Sequence, residues 1–151
     1  MTPARILLIA HAPLAHALRE AALHVFNDCG GDVLALDVDA HAEPEVTLLQ
    51  ARTLLAQQGQ APLLVLTDVF GATPSNVALR LAEGFHARVL TGVNLPMLLR
   101  AWCYRAETLE NLASRAQAGG TQGIVLVGGG SAPQNQNSRV HHDPDDRHHQ
   151  Q

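Results

Sequence analysis

Along the first 130 residues, short apolar runs alternate with stretches whose apolar residues recur at helical spacing. Five runs read as strands: Ile6 to Ala10, Val33 to Val38, Leu63 to Thr67, Arg88 to Thr91 and Ile124 to Val127. The third is almost wholly apolar, as expected of a central strand covered on both faces. A first helix is predicted over Leu14 to Asn27, with Leu14, Leu18, Ala21, Ala22 and Val25 on one face and Gly30-Gly31 ending it. A second begins near Pro44, turns Val46, Leu49, Leu54 and Leu55 toward the sheet, and stops near Gly59. A third starts with Thr73 as N-cap and Pro74 at the first helical position, and runs to Gly84. A longer fourth spans Met97 to Ala118, closed by Gly119-Gly120.

Strands alternating with helices predict an α/β fold, a single open doubly wound sheet that is mostly parallel. Right-handed crossovers suit the strand order 2-1-3-4. The domain occupies 1–130. Beyond it, 131–151 is polar, with His141, His142, His148 and His149 among Asp143, Asp145 and Asp146. Such a segment has too little to bury and reads as a disordered tail. A His/Asp cluster can bind divalent metals weakly, but without a rigid shell a solvated tail is the favoured reading, and no metal site is assigned.

Composition narrows the function. Apolar residues make up 46% of the 151 and charged residues 16%, enough to bury a core in one domain. The net charge of −4 and the scattered arginines give no basic stripe, which argues against nucleic-acid binding. Cys29 and Cys103 stand in no CxxC or zinc spacing, and reduced thiols are expected. No apolar stretch reaches membrane-spanning length and no signal segment opens the chain, so a cytoplasmic protein is expected.

The chemistry sits at strand ends. The first strand runs into His11 and the third into Asp68, and in an open parallel sheet ligands bind beyond the carboxyl ends where the strand order reverses. A carboxylate accepting from one imidazole nitrogen fixes the tautomer and frees the other to attack. Taken alone, His11 is better explained by a histidine that merely closes a strand. Asp68 and the adjacent helix start favour reversible phosphorylation of His11. Gly71, Ala72, Thr73 and Ser75 would hold the phosphate through bare helix N–H groups and two hydroxyls. Phe70 is expected as an apolar wall limiting water. Asn94 reaches the same edge, either to donate to phosphate or to shape its turn. His16, His24, His41 and His86 show no clear partner and are given no role.

Three segments then carry a resemblance: Ile9-Ala-His-Ala-Pro-Leu-Ala15, Thr67-Asp-Val-Phe-Gly-Ala-Thr-Pro-Ser-Asn-Val-Ala78 and Gly92-Val-Asn-Leu-Pro-Met-Leu98. In order and spacing, 1–130 resembles the mannose-type enzyme IIA component of the bacterial phosphoenolpyruvate-dependent sugar phosphotransferase system. The resemblance implies that His11 takes a phosphoryl group from the phosphocarrier HPr and passes it to a IIB component. It further implies that Asp68 orients His11, that no cofactor is held, and that a membrane is met only through a transporter complex. A homodimer is also implied, with Ile124 to Val127 as an antiparallel edge strand exchanged between subunits. Ala12 and Ala72 depart from the glycines of many members, though both are small. With no fused IIB domain in the chain, a stand-alone regulatory phosphoprotein is the alternative reading. A Ser75-His11-Asp68 hydrolase is disfavoured, because Ser75 lacks a GxSxG elbow. A flavodoxin-like nucleotide site is disfavoured because the loop after the first strand has no phosphate cradle.

Overall fold

Ten elements follow one another in the computed structural model, which describes residues 1–129. The tail expected over 131–151, and the domain limit at 130, lie outside the described residues. Strand β1 (Arg5–His11) leads to α1 (Leu14–Val25), a short 3-10 turn (Cys29–Gly31) and β2 (Val33–Val38). Next come α2 (Pro44–Ala56), β3 (Leu63–Thr67), α3 (Thr73–Ala82) and β4 (Ala87–Leu90), then α4 (Leu95–Cys103) and α5 (Leu109–Gln122).

The four strands form one parallel sheet in the order β2-β1-β3-β4. Side chains alternate across it. Ile6, Leu8, Leu64 and Leu66 pack with Ala15 and Ala22 of α1 and with α4 and α5. Leu7, Ile9, Leu63 and Val65 pack with α2 and α3 on the other face. Every β3 residue is buried, as its apolar run predicts.

Several expectations are corrected. In α2 the buried stripe is Thr47, Leu48, Ala51 and Leu55, while Val46 and Leu49 face solvent. Leu14 and Val25 at the ends of α1 are also exposed, and the helix stops before Gly30. The long helix expected over Met97 to Ala118 is two helices. Thr108 caps the second, accepting from the Asn111 backbone N–H at 3.3 Å. Gly119 and Gly120 do not end it but lie buried within it, against α4. A Cβ on Gly119 would sit 2.6 Å from Arg100 Cβ, so this glycine serves close helix contact.

The strand expected at Ile124 to Val127 is not formed. These residues follow α5 without regular structure, and all four are exposed. A strand exists only when its backbone groups find a partner, and among the described residues this run pairs with none.

Candidate active site

The β1-β3 junction is where the strand order reverses, and it brings His11 and Asp68 together. Asp68 Oδ2 accepts the His11 backbone N–H at 2.9 Å and lies 2.7 Å from His11 Nδ1. Its second oxygen, Oδ1, accepts the Val69 N–H at 2.8 Å. The Asp68 backbone is itself held, because its carbonyl accepts the Gly92 N–H at 2.6 Å. The acceptor is thus fixed from both sides before any ligand arrives.

Burial pushes the Asp68 carboxyl up, but the two His11 donors, the Val69 N–H and the ring charge outweigh it. Its pKa lies below the usual carboxylate range. An ionised carboxylate only accepts, so the proton of neutral His11 belongs on Nδ1. Nε2 keeps its lone pair. The His11 side chain is 49% exposed and that of Asp68 9%, so the ring is open to solvent while the carboxylate that holds it is covered.

The loop after Asp68 turns at Gly71, whose φ of +85° suits a residue without Cβ. It delivers the N-terminus of α3, with Ala72 as the extended N-cap residue, Thr73 at N1 and Pro74 at N2. Thr73 was expected as the cap, yet no side chain caps this helix. First-turn N–H groups have no carbonyl within the helix to bond, so those of Thr73 and Ser75 suit an anion.

Other expected site residues are placed differently. The Ser75 side chain is fully buried, accepting the Gly71 N–H at 2.8 Å and donating to the Ala72 carbonyl at 3.0 Å. Its hydroxyl shapes the turn and is not turned toward a ligand. Asn94 caps α4, accepting from the Met97 N–H at 2.9 Å and donating to the Gly120 carbonyl at 3.0 Å. Of its two expected roles, this is the structural one. Phe70 is 77% exposed, so in the single chain it walls off no water. Among the described residues no group of three or more His, Cys, Asp or Glu could hold a metal.

One pair escaped the sequence reading. His16, given no partner above, has Nδ1 2.8 Å from Asp37 Oδ2 and donates its backbone N–H to Asp37 Oδ1 at 3.2 Å. The available signal was Asp37 near the end of a strand flanking β1, with His16 in the first turn of the helix that connects them.

A family model described as the PTS system fructose IIA component matches residues 5–117. The chain belongs to this family. Membership in the IIA component family places it in the phosphotransferase system. Among solved structures, it is similar to the mannose/sorbose-specific IIA subunit from Enterococcus faecalis, at 23% identity and a TM-score of 0.78, covering 87% of this chain and 99% of that one. A phosphotransferase system EIIA component from Streptococcus agalactiae aligns at 25% identity and a TM-score of 0.71, covering 81% of this chain and 95% of that one. A PTS IIA protein associated with the fucose utilization operon of Streptococcus pneumoniae gives 24% identity and a TM-score of 0.64, with 84% and 96% covered. No curated protein matches significantly. No helix among the described residues is long and apolar enough to cross a membrane.

Proposed function

We propose that this IIA component is a phosphocarrier whose His11 Nε2 accepts a phosphoryl group from HPr and passes it to a IIB component. The observation that carries the reading is the double hold of Asp68 Oδ2 on His11 N–H and Nδ1. In the transfer, the Nε2 lone pair forms the new N–P bond as the N–P bond of the donor phosphohistidine breaks. The electron pair returns to the donor ring. Asp68 balances the positive charge that His11 gains, and the N-terminal turn of α3 receives the phosphate oxygens. Positioning and charge stabilisation are what such a step needs. No metal or organic cofactor takes part.

An exposed nucleophile suits a protein partner more than a small substrate. Val69 and Phe70 beside it offer apolar surface for docking. A homodimer belongs to the same proposal: among the described residues β4 ends the sheet with an unpaired edge, and the exposed run Ile124 to Val127 is suited to pair there with a second copy.

The test is labelling with phosphoenolpyruvate, enzyme I and HPr. Wild type gains acid-labile phosphate and His11→Ala gains none; full labelling of that variant would overturn the assignment. Adding candidate IIB proteins then reads onward transfer. Phosphate retained on His11 with every IIB protein would support the regulatory alternative.

A further inference from the structure

The hold on His11 occurs a second time on the same edge of the sheet. Asp37 lies on β2 in register with Ala10, the residue before His11. It takes the backbone N–H and Nδ1 of His16, the same two groups that Asp68 takes from His11, but with a separate oxygen for each where Asp68 uses Oδ2 for both. The tautomer is therefore fixed in the same way, with the proton on Nδ1 and the lone pair on Nε2. The His16 side chain is 59% exposed, with its Nδ1 side turned to Asp37. His16 is also the third residue of α1, where the helix dipole favours a dianion. What it lacks is the glycine turn and the second helix start that face His11.

We propose that His16 Nε2 is a second phosphoryl-accepting nitrogen, charged by small N-phosphoryl donors of the phosphoramidate class. The Nε2 lone pair forms an N–P bond as the P–N bond of zwitterionic phosphoramidate breaks, and ammonia leaves with the released electron pair. The ring keeps its Nδ1 proton and becomes positive, paired with Asp37. The proposal shares its nucleophile chemistry with His11 but needs no carrier protein, so the two can fail separately.

The full chain carrying His11→Ala is incubated with potassium phosphoramidate, and phosphate is located by fragment-ion mass spectrometry. Cleavage after Arg5 and Arg19 leaves both histidines in one peptide, so fragment ions must separate position 16 from position 11 in wild type. His24, His41 and His86 pair with no carboxylate among the described residues and serve as internal references. His16 is expected to gain phosphate about tenfold faster than these three, and Asp37→Asn to bring it down to their rate. The comparison within one protein needs no further variant, so it stands even if Asp37→Asn folds poorly. A rate at His16 equal to the references would overturn the proposal, as would an unchanged rate in a folded Asp37→Asn protein. Labelling of His11→Ala by HPr in the separate carrier assay would instead count against the role given to His11.

Discussion

A single oxygen of Asp68 holds both the backbone and the ring of His11, at 2.9 Å from the amide nitrogen and 2.7 Å from Nδ1. Two donors from one residue on one acceptor leave the imidazole little freedom to rotate. The carboxylate therefore sets where Nε2 points as well as which nitrogen carries the proton.

Replacing that carboxylate should slow phosphoryl transfer without unfolding the chain. In Asp68→Asn the amide can still accept, but it no longer balances the positive ring. The transfer rate from HPr should fall about 10–100-fold, read by rapid-quench labelling. A wild-type rate would remove Asp68 from the mechanism.

Acid should release the same interaction. The folded pKa of Asp68 is lowered, so between that value and the unfolded one the unfolded chain binds more protons. The stabilisation is complete above the unfolded pKa, about 3.9 for an aspartate, and is lost as pH falls through the folded value. Urea midpoints measured from pH 6 downward should drop more steeply below about pH 4 in wild type than in Asp68→Asn. Parallel curves would show that Asp68 titrates alike in both states.

Close packing of α4 on α5 predicts a contrast between glycines. Gly119→Ala places a Cβ against Arg100 Cβ and Cγ, near the backbone where little can yield. A cost of about 1–3 kcal/mol is expected from urea unfolding. Gly31→Ala meets nothing within 4 Å and should change stability by less than about 0.5 kcal/mol. Equal effects would remove the close-contact explanation.

The apolar run after α5 should matter in solution more than in the single chain. Ile124→Asp with Leu126→Asp alters side chains that touch little here, so the monomer fold should survive. If the run pairs with a second copy, sedimentation velocity should show a dimer for wild type and a monomer for the double variant. An unchanged dimer would place the interface elsewhere.

Much of the fold was legible because its signals are local. Apolar runs of the right length, with Pro44 and Pro74 at helix starts, gave four strands and the first three helices close to their observed limits. The break between α4 and α5 was harder. A glycine pair reads as a stop, and only the packing of Gly119 against Arg100 shows why glycine sits inside a helix. The cue that was present is Thr108, whose side chain caps α5. In α2 apolar character does not mark the buried face, because Val46 and Leu49 are exposed while Thr47 is buried beside Leu48, Ala51 and Leu55.

What the sequence determined by itself is the alternation of elements, and through it which residues stand at strand ends. Right-handed crossovers suit the order 2-1-3-4 without requiring it, so the meeting of His11 and Asp68 was an expectation until the sheet showed β1 beside β3. Tertiary structure decided the use of each polar group. Ser75 and Asn94 look like ligands in a motif, yet their atoms are committed to the Gly71 turn and to the α4 cap. Only the third dimension brought His16 to Asp37, 21 positions apart on neighbouring elements. Hydrogen bonds between distant residues depend on directions that no spacing along the chain encodes.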